Sequence, residues 1–258
     1  MTAQRWGGRL TSRDLPDQDE TIDKLEPAVR EELAQHWLER AAAERRVGDS
    51  FGVIRDTLEE LGADPQLVEL AERAVDDESR HQELSRLVAS RFAGRALPAP
   101  ARLPITVPQH EGATDTERRV FWVVGQCCLN ETMASAVLEA SLAVTTGPYA
   151  KAALRELLSD EVDHARLGWA FLATVDRGAK DAVARRALGL TRANVKMWRE
   201  TPRSYPSRPE LVEQGALTRD LIEGALRLAV RDLVIPGFQQ LGLDTAAVSA
   251  WVDAGAPT

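Results

Sequence analysis

The sequence predicts an all-α protein built around a four-helix bundle. Ala, Leu, Glu and Arg dominate its 258 residues, and apolar residues recur at the spacing of one helix face. No segment alternates between β-branched and polar residues as a strand bounded by turns would. Two turns that contain glycine and proline divide the pattern into helical hairpins, and a proline-rich segment separates the hairpins. Two hairpins joined by a long crossover, with further helices after them, are therefore expected.

The first hairpin begins with a predicted helix over residues 28–61. This helix ends at Gly62, because glycine readily adopts the left-handed conformation that closes a helix. Asp64 is suited to cap the next helix, and Pro65 is suited to its first turn. The second helix is predicted over residues 65–92.

The proline-rich segment GRALPAPARLPITVPQHEG, residues 94–112, connects the two hairpins. Its roughly 20 residues could span about 65 Å, whereas a helix of about 30 residues is only about 45 Å long. The connection can therefore run the full length of the bundle. Hairpin, long crossover and hairpin together make the ferritin-like form of the four-helix bundle.

A capping box of Thr114 and Glu117 opens the second hairpin. Its first helix is predicted over residues 114–145. Gly147 and the proline after it form a tight turn, and the fourth helix is predicted over residues 148–175.

The bundle is thus predicted over residues 28–176, with an extension on each side. Residues 1–27 form an N-terminal extension. Residues 177–258 form a C-terminal helical extension packed on the bundle, with helices near residues 181–200, 213–235 and 244–252.

Charge and composition argue against several classes of function. The net charge of −8, without a basic stripe, argues against a nucleic-acid partner. No apolar run has the length of a signal-peptide core or of a membrane-spanning helix, so no membrane association is expected. Cys127 and Cys128 are adjacent and are the only cysteines. A scaffold disulfide is therefore not expected, and a cytoplasmic location is.

The pattern Asp-Glu-x-x-His occurs twice, each time in the second helix of a predicted hairpin: Asp77-Glu78-x-x-His81 and Asp160-Glu161-x-x-His164. Positions i and i+3 of a helix project to the same side, so each Glu–His pair offers one oxygen and one nitrogen to a metal ion. The first helix of each hairpin should add a glutamate at matching depth. Glu44 and Glu131 lie within about one turn of that depth, whereas Glu139 is too close to the turn.

Four glutamates and two histidines would then meet in the middle of the bundle. Each buried carboxylate would cost several kcal/mol without compensation, and two divalent cations cancel the four charges. Oxygen and imidazole ligands without thiolate suit iron or manganese better than copper, and zinc also accepts them. Asp77 and Asp160 are placed to hydrogen-bond the second nitrogen of a ligand histidine across the bundle. The alternative is a set of solvent-facing side chains, which the repeated motif and the matched depths disfavour.

The six-residue pattern resembles the carboxylate-bridged di-iron proteins of the ferritin-like superfamily. This group includes rubrerythrins, bacterioferritins, the small subunit of ribonucleotide reductase and several oxygenases. The resemblance covers residues 30–176, and the stretch from ERRVGDSF to FAGR also resembles a group of bacterial ferritin-like domain proteins. It implies two iron ions, or a manganese–iron pair, with Glu78 and Glu161 as bridging ligands. The implied terminal ligands are Glu44 with His81 and Glu131 with His164.

The chain departs from two members of this group. Rubrerythrins carry a four-cysteine iron site, which two cysteines cannot form. The reductase subunit stores a radical on a tyrosine close to its irons. The only tyrosines are Tyr149 and Tyr205, and Tyr149 lies about 18 Å along the helix from Glu161.

The resemblance implies an oxidoreductase that activates dioxygen or peroxide and oxidises a small organic substrate. Its electrons would come from a separate donor, because no flavin or nicotinamide fingerprint occurs. Two alternatives remain open: a ferroxidase or peroxidase without an organic substrate, and a non-catalytic helical module that metal stabilises. The C-terminal helices could wall a substrate pocket or mediate a homodimer.

Several residues near the predicted ligands have more than one interpretation. His36 and His110 fall outside the ligand pattern. Cys127 and its neighbour are expected to be small buried apolar residues, although Cys127 is one turn from Glu131 and a role near the metal stays open. Gly48 and Ser135 follow Glu44 and Glu131 by one turn; they indicate either close helix contact or space beside the metals.

Overall fold

The computed structural model describes residues 15–201 and 203–255, and the chain is helical in that part with no strand. The all-α prediction is therefore confirmed. The α-helices are α1 (Glu20–Asp23), α2 (Pro27–Glu60), α3 (Pro65–Ala93), α4 (Asp115–Val123), α5 (Glu131–Val144), α6 (Pro148–Thr174), α7 (Arg177–Glu200), α8 (Pro209–Glu213), α9 (Arg219–Ala229), α10 (Ile235–Gln240) and α11 (Ala246–Asp253). Two π-helical segments interrupt this series, Val124–Asn130 before α5 and Val230–Val234 before α10.

Helices α2 and α3 form an extensively packed hairpin. Gly62 closes α2 with a φ of 64°, in the left-handed region that favours glycine. Asp64 caps α3 by accepting a hydrogen bond of 2.9 Å from the backbone N–H of Gln66, and Pro65 is the first residue of α3. Both helix boundaries lie within about one residue of the predicted positions.

The second pair of helices begins at the predicted capping box. The backbone N–H of Glu117 donates to Thr114 Oγ1 at 3.2 Å, and the backbone N–H of Thr114 donates to Glu117 Oε2 at 2.8 Å. The helix predicted over residues 114–145 is present over Asp115–Val144, but a π-helical segment separates α4 from α5 within it. Helix α6 approaches this segment closely: a Cβ on Gly168 would lie 2.5 Å from the backbone between Cys127 and Cys128.

The C-terminal region contains more breaks than predicted. Helix α7 starts at Arg177 because Asp176 caps it. The single helix expected over residues 213–235 is wrong. A loop with Gly215 at a φ of 95° ends α8, and α9 starts only after Thr218. Pro236 explains the second π-helical segment, because proline lacks an N–H and clashes with the carbonyl four residues earlier.

The buried apolar residues form two clusters with a polar layer between them. The smaller cluster includes Trp37, Leu84 and Leu157. The larger one includes Phe51 of α2 and residues of α7, α9, α10 and α11, such as Phe238. Along α2, Glu44 lies between Trp37 of the smaller cluster and Phe51 of the larger cluster. The motif residues of α3 and α6 lie at the same boundary. The predicted ligand residues therefore occupy the layer that separates the clusters.

The described residues before α2 and after α6 contact the helical pairs. Asp19 Oδ2 accepts a hydrogen bond of 2.9 Å from the backbone N–H of Tyr149 at the start of α6. The indole N–H of Trp37 donates to the backbone oxygen of Gln214 at 3.1 Å. Helix α3 packs on α6, and α9 packs on α5. Within the described ranges, no helix combines the length and the apolar character that crossing a membrane requires.

Candidate metal centre

The six predicted ligand residues lie on four helices and converge in the polar layer. None of them is more than 8% exposed. Glu44 comes from the middle of α2, and Glu131 is the first residue of α5. The remaining four come from the two Asp-Glu-x-x-His motifs: Glu78 and His81 on α3, and Glu161 and His164 on α6. The helices thus turn both motifs inward, to the same buried place.

The two imidazoles are oriented alike with respect to the glutamates. His81 Nδ1 lies 3.5 Å from Glu78 Oε2 and 3.6 Å from Glu161 Oε1. His164 Nδ1 lies 3.1 Å from Glu78 Oε1 and 3.6 Å from Glu161 Oε2. The two ring centroids are 5.9 Å apart. Both histidines therefore direct the same nitrogen towards the same pair of carboxylates.

The other nitrogen of each imidazole faces an aspartate on the opposite helix. His81 Nε2 lies 3.0 Å from Asp160 Oδ2, and His164 Nε2 lies 3.5 Å from Asp77 Oδ2. A carboxylate at Nε2 favours the tautomer that keeps its proton on Nε2 and leaves a lone pair on Nδ1. Each aspartate therefore prepares the histidine of the other motif to act as a donor ligand through Nδ1.

Two groups of four residues bring their ligand atoms within 4.8 Å of one another. One group contains Glu44, Glu78, His81 and Glu161, and the other contains Glu78, Glu131, Glu161 and His164. Both groups contain Glu78 and Glu161. The buried cluster could therefore hold metal ions at two neighbouring positions that share these carboxylates.

Burial makes the negative charge of the four glutamates unfavourable. Desolvation, followed by the charge of Glu78, raises the pKa of Glu44 to about 8. Desolvation also raises the pKa of Glu78 to about 7, against the lowering effect of His164. The pKa values of Glu131 and Glu161 are raised by desolvation and then by the charges of neighbouring carboxylates. The metal-free cluster therefore retains protons at neutral pH.

The pattern of hydrogen bonds fits a cation at this place. Both carboxylate oxygens of Glu78 and Oε2 of Glu161 are buried without a well-aligned hydrogen bond from any described residue. Residues 15–201 and 203–255 provide no lysine or arginine ion pair to the four glutamates. A divalent cation would satisfy these oxygens and cancel their charge, so the donor set suits a metal centre.

A second group of charges surrounds the cluster. The guanidinium of Arg80 contacts Glu156 and Asp160, and its Nη2 lies 3.8 Å from Asp77 Oδ1. Arg80 therefore compensates the outer carboxylates, including both aspartates that face the imidazoles. Buried arginine–carboxylate contacts fix geometry because the guanidinium is planar. The positions of the two imidazoles thus depend on Arg80 through Asp77 and Asp160.

The π-helical segment supplies two hydrogen bonds to Glu131. Gln126 Nε2 donates to Glu131 Oε1 at 2.9 Å, and Asn130 Nδ2 donates to the same oxygen at 3.0 Å. Asn130 Oδ1 in turn accepts a hydrogen bond of 3.0 Å from the indole N–H of Trp198 on α7. Segments of this kind occur frequently at functional sites. Here the segment orients one predicted ligand and connects it to the C-terminal helices.

A cavity of about 150 Å³ lies beside the cluster. Glu44, Glu131 and Glu161 form part of its wall. The rest of the wall comes from α2, α5, α7, the loop that follows α7 and the start of α9. The cavity therefore gives a small molecule access to the carboxylates.

The remaining histidines and cysteines lie outside the two ligand groups. His110, in the crossover segment, packs edge-on against Phe121 of α4. His36 lines the cavity. Cys127 and Cys128 are free and buried. Burial raises the pKa of both thiols, and for Cys127 the charge of Glu131 raises it further. The expectation of small buried apolar side chains is confirmed for this pair.

Gly48 provides close helix contact at the cluster itself. A Cβ on Gly48 would lie 3.0 Å from the Cβ of Glu78. Ser135, which follows Glu131 by one turn, does not line the cavity, whereas its neighbour Ala134 does. The glycine on α2 thus makes room for the first carbon of a shared carboxylate side chain.

Sequence reasoning missed the residues that support the ligands. Arg80 stands inside the first motif, between Glu78 and His81, but the second motif has Asp163 at the equivalent position. Asn130 directly precedes Glu131 and could have been noticed for that reason. The arginines of the cavity, Arg40 and Arg203, are far apart in sequence and gave no signal.

The chain matches no protein-family model, and no curated protein and no solved structure matches it.

Proposed function

We propose that the protein is a di-iron oxidoreductase of the ferritin-like type that activates dioxygen or peroxide to oxidise a small organic substrate. The observation that carries this proposal is the pair of four-residue groups that share Glu78 and Glu161. In the proposed bundle, α2, α3, α6 and the combined α4–α5 region are the four helices. The ligand helices then correspond to those of a carboxylate-bridged centre.

The proposal assigns roles to each predicted ligand. Glu78 and Glu161 would be shared by the two ions, because they belong to both groups. Glu44 with His81 would complete one set of ligands, and Glu131 with His164 would complete the other. The donor set contains oxygen and imidazole only, which suits iron or a manganese–iron pair.

When bound, the two ions would supply the electrons and the Lewis acidity needed to activate dioxygen or peroxide. The protein's own residues do the remaining work. Asp77 and Asp160 hold the imidazoles in one tautomer, and the apolar clusters exclude bulk water from the layer. The cavity admits the substrate next to Glu44, Glu131 and Glu161.

The reaction needs a supply of electrons. Insertion of one oxygen atom from dioxygen into a C–H bond consumes two electrons and two protons and releases one water molecule. With peroxide the same insertion needs no external electrons. We propose a separate electron donor for the dioxygen reaction, since the sequence has no flavin or nicotinamide fingerprint.

Metal analysis and oxygen uptake test this proposal. The full-length protein, purified without oxygen and supplied with Fe(II), is expected to bind about two ions per chain and to consume dioxygen rapidly. A Glu78→Ala, Glu161→Ala double variant is expected to bind less than one ion. Glu139→Ala is the matched control, because Glu139 is an exposed glutamate of α5.

The same measurements separate the proposal from its alternatives. Fewer than one metal ion per chain, unchanged in the double variant, would contradict the metal centre itself. Bound iron that does not react with dioxygen or peroxide would indicate the non-catalytic module. Continuous oxidation of added Fe(II), with growth of a ferric mineral, would indicate a ferroxidase.

A further inference from the structure

The cavity beside the metal centre has apolar walls on most of its surface. The apolar side chains include Ala43, Val47, Val137, Leu138, Leu217 and Ile222. Its volume of about 150 Å³ is comparable to that of an engineered cavity that holds benzene. Such walls accommodate the hydrocarbon part of a small ligand.

The polar part of the wall carries an excess of positive charge. Beyond the three glutamates of the metal centre, it contains Arg40, Arg46 and Arg203 but only one further carboxylate, Glu39. Glu39 is already engaged: it accepts hydrogen bonds from the backbone and the hydroxyl of Ser204 at 2.8 and 2.9 Å. Two positive charges therefore remain in excess once metal ions neutralise the glutamates.

His36 adds no charge to this wall. Burial, followed by the charge of Arg40, lowers its pKa to about 4. Its ring is therefore neutral at physiological pH. A neutral imidazole beside two guanidinium groups provides a hydrogen-bonding partner without neutralising them.

Two of the arginines are held by aromatic rings. The guanidinium of Arg40 lies 5.4 Å from the ring centroid of Trp37, and that of Arg203 lies 5.3 Å from the ring centroid of Trp198. In the described ranges neither forms an ion pair, and the Nε atom of each is buried without a hydrogen bond. Stacking fixes each guanidinium and leaves its Nε–H group available for a planar anion.

We infer that this cavity binds a small monocarboxylate with an apolar body, whose carboxylate is held by Arg40 and Arg203. The inference rests on the proposed function in one respect, since it names the substrate class of that site. Arg40 lies one turn before Glu44 on α2. The bound molecule is therefore anchored at the edge of the metal centre, and its hydrocarbon part lies against the apolar wall.

A carboxylate fits this wall better than other anions or a neutral molecule. The planar fork of an arginine matches the two oxygens of a carboxylate. Phosphate is strongly hydrated and has no apolar part to contact the leucine and valine side chains of the cavity. A neutral molecule would leave the buried Nε–H groups of Arg40 and Arg203 without partners.

The arginines also have a simpler explanation, which the geometry disfavours. Arg40 could serve only to offset the charges of Glu44 and Glu161, both of which favour its charged form. A residue with that role should form an ion pair with one of them, as Arg80 does with Asp160. Arg203 comes from a loop outside the helical pairs, and its main-chain partner is the backbone oxygen of Trp198 at 2.9 Å.

Calorimetric titration with benzoate tests the inference on the full-length protein carrying its metal. Benzoate is expected to bind at least about tenfold more tightly than benzamide, its neutral isostere, because the carboxylate gains charge-assisted hydrogen bonds. Arg40→Gln and Arg203→Gln are each expected to weaken benzoate binding about tenfold or more. Arg219→Gln is the matched control, because Arg219 also stacks on an aromatic ring, 4.6 Å from that of Tyr205, but lies outside the cavity wall.

Several outcomes would overturn the inference. One is that benzoate binds no more tightly than benzamide. Titration of the unmodified protein with the two ligands measures this difference, without any variant. Others are equal binding of inorganic phosphate, or benzoate binding that neither arginine variant weakens. Benzoate that binds only in the presence of metal and ignores Arg40→Gln would be a metal ligand, which also excludes the inference.

Repeating the titration after treatment with EDTA separates this inference from the proposed function. Arginine-dependent binding of benzoate that persists after EDTA would show that the anion site does not need the metal. The same binding by a chain that takes up less than one iron when supplied with Fe(II) would support the inference and contradict the di-iron proposal. A chain that holds two irons and consumes dioxygen, yet binds benzoate no better than benzamide, would support the di-iron proposal and contradict the inference about the cavity.

Discussion

At the scale of single residues, Asp77 and Asp160 determine which nitrogen of each histidine faces the carboxylates. Each aspartate belongs to one motif and contacts the imidazole of the other motif. The two helices are therefore connected by a pair of reciprocal contacts outside the ligand groups. Removing one of these contacts should disturb one histidine and leave the other in place.

We predict that Asp160→Asn weakens metal binding about 10- to 100-fold, the range typical for residues that orient a ligand histidine. The amide removes the charge that favours a proton on His81 Nε2. Competition with a chromogenic chelator measures the change in affinity. Asp163→Asn on the same helix is the control, because Asp163 is partly exposed and pairs with surface arginines. Equal affinity in the two variants would contradict the role assigned to Asp160.

The sequence allowed the motif residues to be predicted, because their spacing repeats and each motif lies on a single helix. Gly48 could be noticed but not interpreted, since its contact with Glu78 depends on how closely α2 and α3 approach. Arg40 and Arg203 could not be predicted. They come from α2 and from the loop after α7, and only the folded chain brings them to one cavity.

At the scale of elements, the π-helical segment Val124–Asn130 lies beside the candidate metal centre. It ends directly before Glu131 and provides both amide groups that hold this carboxylate. Gly168 of α6 lies against its backbone, where no side chain would fit. The position of Glu131 therefore depends on a residue of α6 that touches no ligand atom.

We predict that Gly168→Ala destabilises the protein by about 2 kcal/mol or more, because overpacking of a rigid interior typically costs 1–3 kcal/mol. The added methyl group would meet backbone atoms of Cys127 and Cys128 at 2.5 Å, and these cannot move without shifting the π-helical segment. Urea unfolding gives the free energy of unfolding, and metal titration gives any loss of affinity.

Gly189→Ala is the control for this prediction. Gly189 lies inside α7, and a Cβ there has no neighbour within 4 Å. Alanine should be neutral or stabilising at that position by about 0.5–1 kcal/mol, because glycine weakens a helix interior. If Gly168→Ala behaves like Gly189→Ala, the close approach of α6 to the π-helical segment is not a constraint.

Helix boundaries with clear chemical signals were predictable, and interruptions within helices were not. Gly62, Asp64 and Thr114 each act at the predicted position. The π-helical segment before Glu131 was missed because its apolar pattern over about two turns does not differ from that of an α-helix. Pro236 was a visible breaker, yet its effect on a helix that continues beyond it was not anticipated.

At the scale of the whole molecule, the polar layer divides the interior into two apolar clusters. The layer contains four glutamates with raised pKa values, and among the described residues no lysine or arginine forms an ion pair with them. In the metal-free protein, stability therefore depends on protons that the unfolded chain would release near its ordinary carboxyl pKa.

We predict that the metal-free protein loses stability as the pH rises from 5 to 8. Folding raises the pKa of Glu44 to about 8 and that of Glu78 to about 7, from the ordinary value of 4.5. Between those values the folded chain holds protons that the unfolded chain has released, so the free energy of unfolding falls with increasing pH. The raised pKa of His164 acts in the same direction. The melting temperature in EDTA should fall by about 5 °C or more over this range.

Metal removes this dependence, because bound carboxylates are ionised at both pH values. The metal-loaded protein should therefore melt at a higher temperature, with a smaller difference between pH 5 and pH 8. Glu44→Gln provides a second comparison, since it removes one titrating group. In the metal-free protein it should reduce the change of melting temperature with pH. If the melting temperature changes equally with pH with and without metal, the pKa values of the glutamates are not raised as described.

The order in which the ligand groups can be completed follows from the sharing of Glu78 and Glu161. Each group includes a residue of α6, so neither is complete while the ribosome has produced only α2 and α3. In the hairpin of α2 and α3, Glu44 and Glu78 must therefore be protonated or hydrated until α6 has been synthesised. The two ions of the proposed centre could be bound only after the second hairpin has emerged and docked, so metal loading would be a late event in the biosynthesis of this protein.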